Sequence, residues 1–157
     1  MSKFSHIDKD NKPKMVNVSA KKITKRMASA QALMYLGTDI ISLLTDDEIQ
    51  TKKGPVFQTA VIAGIQAVKK TADLIPMCHP LPLDGIKIDI EIINKEELKI
   101  LCTVEMEGKT GVEMEALTGA SVSALTVYDM CKAISQKMII KEVKLLEKRG
   151  GKSDIGL

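Results

Sequence analysis

Between Gly85 and Gly108 apolar and polar positions alternate strictly: Ile86, Ile88, Ile90 and Ile92 in one run, then Leu98, Ile100, Cys102, Val104 and Met106, with Asn94 to Glu97 between them. A period of two in two runs joined by a short polar link predicts a β-hairpin with one buried face. The period changes on either side. Upstream, Pro55 suits a first helical position, and Phe57, Ala60, Val61, Gly64, Ile65 and Val68 recur at helical spacing to about Ala72, which predicts an amphipathic helix. Downstream, Leu117, Ala120, Ala124, Val127, Cys131 and Ile134 step by three and four, a second long helix. Ile139 to Glu147 reads as a strand. The N-terminal third is less one-sided. Met15 to Val18 looks extended, Thr38 to Ile49 predicts a short helix with Thr38 as its cap, and Arg26 to Tyr35 is rich in Ala, Met, Leu and Gln, helical by propensity alone.

Taken in order, the main elements run strand, helix, strand, strand, helix, strand. That order predicts an α+β sandwich of the ferredoxin-like βαββαβ type, an antiparallel sheet with helices packed on one face. The other sheet face must then be covered or be unusually polar, and with strands this rich in Ile, oligomerisation is a natural cover.

Composition narrows the picture. A chain of 157 residues, 45% hydrophobic and 27% charged, buries a core without staples and predicts one domain over residues 1–157. The ends are expected to be flexible, the C-terminal one because Gly150 and Gly151 adjoin in KRGGKSDIGL. No run reaches the length of a membrane span, and the polar start MSKFSHIDKDNK lacks a secretory pattern, so the cytoplasm is the expected compartment. Cys78, Cys102 and Cys131 are odd in number and far apart, as reduced thiols are. With no CxxC and only His6 and His79 for imidazole, no metal site is expected. A net charge of +3 and four aromatic residues, Phe4, Phe57, Tyr35 and Tyr128, argue against nucleic-acid binding.

The chemistry concentrates between Lys109 and Lys132. Residues Ala116 to Gln136 hold only two charged side chains, Asp129 and Lys132. On a helix this apolar, the pair is either a structural ion pair or a partly desolvated couple tuned for proton transfer. Glu113 and Glu115 in TGVEMEA either complement a helix N-terminus or serve acid–base or amine recognition. The loop LIPMCHPLPL is stiffened by Pro76, Pro80 and Pro82 around Cys78 and His79; its histidine is a candidate acid, base or phosphate donor, or a packed structural group. Lysines and arginines cluster beside glycines at Lys52 and Lys53 and at Lys148, Arg149 and Lys152, with Lys69 and Lys70 on the first long helix. Such clusters are either solvated surface or a phosphate site. GKT at Gly108 to Thr110 is not a P-loop, because Thr103 stands where glycine would be needed.

LIPMCHPLPL, KTGVEMEALTGAS, ALTVYDMCKA and LLEKRGGKS, in this order, closely resemble the MoaC family of cyclic pyranopterin monophosphate synthases in molybdenum cofactor biosynthesis. The resemblance extends from SHIDKDNKPKMVNVSAKK to GGKS, nearly the whole chain. It implies a lyase that converts 3',8-cyclo-7,8-dihydroguanosine 5'-triphosphate, supplied by a radical SAM enzyme, into cyclic pyranopterin monophosphate with release of diphosphate. It implies no cofactor, a small-molecule substrate derived from guanosine triphosphate, and a homo-oligomer, a hexamer built as a trimer of dimers. Lys53, Asp129 and Lys132 match catalytic positions; His79, Cys78, Glu113, Met114, Glu115, Arg26, Lys69 and Lys148 match substrate-binding positions. Asn17 stands where the family often has Asp, and KKITKRMASAQALMYLG follows its pattern only loosely. The family has a strand at Arg26 to Tyr35, which overrides the helical propensity there.

One constraint is geometric. Fourteen residues of uninterrupted helix put Glu115 and Asp129 about 21 Å apart along the axis, too far for one small pocket. Either the glutamates fold back on a loop before the helix, or two chains share a site; mixing Lys53→Ala with Lys132→Ala subunits then restores activity if those two residues come from different chains. Two other readings remain at this stage, a nucleotide-sensing module that lacks turnover and a purely structural oligomer.

Overall fold

The computed structural model describes residues 7, 8 and 10–156. Its elements are β1 (Thr24–Tyr35), α1 (Thr38–Ile41), β2 (Leu44–Thr45), β3 (Glu48–Thr51), β4 (Gly54–Pro55), α2 (Val56–Lys69), α3 (Thr71–Leu74), β5 (Gly85–Ile92), β6 (Glu97–Gly108), α4 (Glu113–Cys131) and β7 (Ile139–Arg149). Four strands form an antiparallel sheet in the order β5-β6-β1-β7, and β2, β3 and β4 make a small separate sheet. The helical spacing to about Ala72 resolves into α2 plus the short α3, with Pro55 as the residue before the helix rather than in it.

The hairpin β5–β6 follows from its alternation. Ile88, Leu98, Ile100, Cys102, Val104 and Met106 are buried on the face that meets the helices. Asn94 closes the link, its side-chain oxygen accepting the Glu96 N–H at 2.9 Å and its amide donating to Glu97 at 2.8 Å. β1 is central, paired along its whole length with β6 and over most of it with β7. Its Ala28, Ala30 and Ala32 are fully buried, small side chains that let a helix lie close to the sheet. Ladder pairing on both sides over most of this segment engages its backbone groups in a sheet, and that context outweighs its Ala- and Met-rich propensity.

The opposite face of the sheet is polar. Lys87, Asp89 and Glu91 of β5 share it with Lys99, Leu101 and Thr103 of β6 and with Ser29, Gln31 and Leu33 of β1. Ser29 and Thr103 hydroxyls hydrogen-bond at 2.7 Å, Gln31 donates to Glu142 at 2.7 Å, and Lys99 pairs with Glu91 at 2.8 Å.

Thr38 to Ile49 does not form one helix. α1 is a single turn after Gly37, with no side-chain cap from Thr38; the chain then reverses through Asp46 and Asp47, whose φ angles of 49° and 59° are left-handed. Two consecutive left-handed residues make the tight turn that joins β2 to β3, and Asp tolerates that conformation through its short polar side chain. Glu48, on β3, then caps α2 from a distance, its carboxylate accepting the Phe57 N–H at 2.8 Å and the Gln58 N–H at 3.1 Å.

α2 and α4 pack against each other in opposite directions. The Ser123 hydroxyl donates to the Ala60 carbonyl at 3.0 Å near one end, and an added Cβ on Gly119 would strike Val68 near the other. Gly64 and Gly119 permit this approach: a Cβ on Gly64 would lie 2.1 Å from the Ser123 hydroxyl and 2.5 Å from Ile88. The antiparallel pairing decides where the chemistry sits. Residues before α2 arrive beside the end of α4, and residues after α2 arrive beside its start.

Candidate active site

At the end of α4, the turn Thr51–Gly54 delivers Lys53, whose ammonium lies 2.7 Å from Asp129 Oδ2 and donates to the Asp129 carbonyl at 3.0 Å. Gly54, at φ 111°, shapes that turn. Lys132, which follows the last turn of the helix, lies 2.7 Å from Asp129 Oδ1. Each carboxylate oxygen therefore faces one ammonium. The hydrogen bonds from Lys132 and then Lys53 pull the Asp129 pKa down to about 2, and Asp129 in turn raises that of Lys132. All three side chains are about half exposed. Across the neutral range this cluster is two cations held by one fixed anion.

Lys53 and Lys132 thus meet on the same Asp129 of one chain. The reason is the antiparallel α2–α4 pair, which returns the residues before α2 to the end of α4.

The start of α4 is built differently. The loop after α3 brings Cys78 and His79 beside Glu113, Met114 and Glu115 in the first turn of the helix, and these residues line a cleft of about 530 Å³. Val16, Val18 and Lys21 close its outer side. Glu115 is only 4% exposed. Burial raises its pKa, its own backbone N–H opposes that shift, and the charge of Glu113 adds to it. Burial also pushes the Cys78 thiol up, with the Glu115 charge adding. His79 Nε2 lies 2.9 Å from the Val16 carbonyl; a carbonyl only accepts, so Nε2 carries a proton and Nδ1 is the nitrogen left for other partners.

A second cleft of about 260 Å³ adjoins the first and shares Lys21, Thr110, Gly111, Glu113 and Lys152 with it. Arg26, Lys109, Lys148 and Arg149 add their cations, against the single carboxylate of Glu113. Lys148 pairs with Glu113 at 3.1 Å and Arg26 donates to the Gly108 carbonyl at 3.3 Å. The KRGGKS segment is drawn in by backbone: the Thr24 hydroxyl donates to the Gly150 carbonyl at 2.8 Å, and Lys148 and Ile155 exchange both backbone bonds. Gly150, at φ 81°, approaches the Lys25 carbonyl so closely that a Cβ would lie 1.8 Å from it. Glycine is required there for shape.

Of the expected residues, His79, Cys78, Glu113, Met114, Glu115, Arg26 and Lys148 line this two-lobed cleft, while Lys53, Asp129 and Lys132 stand at the other end of α4. Lys69 is exposed on the last turn of α2 and lines neither lobe. Lys21 and Lys109 are pocket residues that spacing did not single out; Lys21 was visible only as part of a Lys–Lys pair, and Lys109 only as the first residue of the KTGVEMEALTGAS motif. Glu113 and Glu115 lie in the helix itself, so they do not fold back on a loop, and α4 separates them from Asp129 by about 21 Å. His6 and most of the N-terminal end lie outside the described residues. Among the described residues no group of three His, Cys, Asp or Glu side chains is placed to hold a metal, and no helix is long and apolar enough to cross a membrane.

The MoaC family model matches residues 15–151, which include both ends of α4 and all but Lys152 and Ser153 of the cleft lining. The chain belongs to the MoaC family. It is 50% identical to the cyclic pyranopterin monophosphate synthase of Xanthomonas campestris, over 99% of this chain and 94% of that protein. It is 54% identical to a molybdenum cofactor biosynthesis bifunctional protein of Synechocystis, and 50% identical to molybdenum cofactor biosynthesis protein 1 of Dictyostelium discoideum. The match covers 97% of this chain in both cases but only 45% and 27% of those longer proteins. MoaC relatives therefore occur both as a unit of this length and as part of larger chains.

Proposed function

We propose that this MoaC-family protein is a cyclic pyranopterin monophosphate synthase. It converts 3',8-cyclo-7,8-dihydroguanosine 5'-triphosphate into cyclic pyranopterin monophosphate and releases diphosphate, an early step of molybdenum cofactor biosynthesis. The observation that carries this reading is the two-lobed cleft at the start of α4. A half-apolar lobe with a buried carboxyl adjoins a lobe rich in lysine and arginine, matching a substrate with a guanine-derived head and a triphosphate tail.

Each group has a role set by its surroundings. Glu115, whose pKa burial raises, exchanges a hydrogen bond or a proton with the base-derived ring. Cys78, Met114 and the free Nδ1 of His79 frame the same ring. Lys148, Arg26 and their neighbours neutralise the phosphates and stabilise diphosphate as it leaves, since preorganised cations act most strongly where charge develops. Asp129 stays ionised and positions Lys53 and Lys132, whose ammonium groups supply protons and positive charge as the purine-derived ring opens, the pterin closes and the cyclic phosphate forms.

Because α4 holds these two sets of groups apart, a complete site takes the start of α4 from one chain and the end from another. A homo-oligomer, a hexamer made as a trimer of dimers, meets that need. Lys69, exposed on the last turn of α2, is assigned to substrate by its match to the family alone. The strand order β5-β6-β1-β7 supports a ferredoxin-like scaffold beneath the site, and the chemistry fits a cytoplasmic enzyme. The test is direct: incubation with the cyclic dihydroguanosine triphosphate yields a pterin and diphosphate in equal amounts. Binding without turnover contradicts the synthase reading.

A further inference from the structure

Residues 14–23 cross the mouth of the cleft without joining either sheet. Among the described residues their backbone makes one bond within the segment, from Lys21 N–H to the Val18 carbonyl at 3.1 Å. The Asn17 side chain accepts the Ser19 N–H at 2.9 Å, which tightens the same turn. Two side chains tie the segment to the body of the protein: His79, through the Val16 carbonyl at 2.9 Å, and Lys109, whose ammonium donates to the Ser19 carbonyl at 2.7 Å. Most of the segment is exposed, yet Val16, Val18 and Lys21 form a wall of the larger lobe, and Lys21 also borders the basic lobe. A wall held by two side-chain bonds and no ladder belongs to the low-stability part of a fold, which opens far more readily than the sheet beneath it.

Lys109 occupies both structures at once. It borders the basic lobe and holds the strap, and an ammonium with three N–H groups has donors left after serving the Ser19 carbonyl. We infer that residues 16–21 are a strap that closes over the phosphate chain of the substrate, with Lys109 as its latch and Lys21 as the cation that closure adds. A phosphate chain in the basic lobe attracts Lys21 on the strap and Lys109 on the body to the same anion, so binding favours the closed form by the differential affinity of the two states. Closure also excludes water from the lobe, which strengthens every ion pair inside it. Lys109 is thus a positioning residue as well as a phosphate contact. The inference rests on the synthase reading for the identity of the phosphate-bearing ligand, and on the strap geometry for the motion.

Limited trypsin digestion of the full-length protein, with inorganic triphosphate as probe, tests it. Cleavage after Lys21 and Lys22 reads the strap, and cleavage after Lys95 in the β5–β6 link serves as the internal control. Triphosphate slows strap cleavage on the order of tenfold or more and leaves the Lys95 site unchanged. In Lys109→Met the strap is cut faster than in the parent even without triphosphate, and KM for the cyclic dihydroguanosine triphosphate rises more than kcat falls. Lys109→Arg restores both, and unchanged thermal unfolding of Lys109→Met excludes a folding defect. Equal protection of Lys95 and the strap, no protection at all, or parent-like strap cleavage in Lys109→Met overturns the inference. Failure of the synthase reading looks different: no turnover of the cyclic dihydroguanosine triphosphate, with strap protection by triphosphate intact.

Discussion

Both ends of α4 carry carboxylates beside lysines, and they treat a proton in opposite ways. At the start, Glu115 is buried with Glu113 as its charged neighbour, and its pKa is raised. At the end, Asp129 is half exposed between two ammonium groups, and its pKa falls to about 2. Residue type is nearly the same; burial and neighbours decide. One helix therefore offers a carboxyl made a weaker acid at one end and a stronger acid at the other, the kind of separation that acid–base chemistry at one pH uses. On the proposed function it also separates roles, with binding surfaces around the first turn and positioned ammonium groups around the last.

The largest effect is expected at the end of α4. Asp129→Ala releases both lysines, and Lys132→Ala removes one of them; each lowers kcat on the order of 10²- to 10⁴-fold, with KM changed far less. Steady-state kinetics on the cyclic dihydroguanosine triphosphate measure this, and a change confined to KM in these variants would erase the division of roles. At the start of the helix the split reverses. Lys148→Ala raises KM on the order of tenfold, the scale of one lost charge-assisted hydrogen bond, while kcat stays near that of the parent protein.

Between the ends, Gly64→Ala forces Ser123 and Ile88 away from the α2–α4 contact. It costs roughly 1–3 kcal/mol in urea denaturation, the range for overpacking, and it impairs both ends together. The smallest effect is on pH dependence. An acid whose folded pKa is raised holds its proton longer in the native state, so stability falls as pH rises from the ordinary carboxylate value through the raised one. Glu115→Gln removes that slope, seen as a flatter plot of unfolding midpoint against pH. Asp129, lowered to about 2, contributes a pairing that is constant over the same interval and is lost only as pH falls toward 2.

The parts of the fold that were legible in the chain are those in which one face alone is buried. The β5–β6 hairpin and the two long helices bury an apolar stripe each, and periodicity reports such stripes; β7 was legible from its β-branched and apolar content. β1 has a buried stripe too, Ala28, Ala30, Ala32 and Met34, but it is built from helix formers, so only motif resemblance to a family with a strand there pointed the right way. The Asp46–Asp47 turn was missed because Thr38 to Ile49 has enough Ile and Leu to imitate a helix, and left-handed φ at two aspartates leaves no apolar signature. In the site, the residue types were visible as motifs, whereas their grouping was not. Lys53 meets Lys132 rather than a second chain's lysine because α2 returns antiparallel to α4 through glycine contacts, a fact of packing that spacing along the chain does not encode.

Subunit mixing tests most directly whether the two ends of α4 serve one site from two chains. Mixed oligomers are formed in equal proportion from Lys53→Ala, damaged at the end of α4, and Glu115→Ala, damaged at its start. Random assembly leaves about one site in four with both ends intact, so about a quarter of the parent activity returns. Lys53→Ala mixed with Lys132→Ala recovers nothing, because every end of α4 is then damaged. Recovery in the second mixture, or none in the first with mixed oligomers verified by mass, contradicts the account.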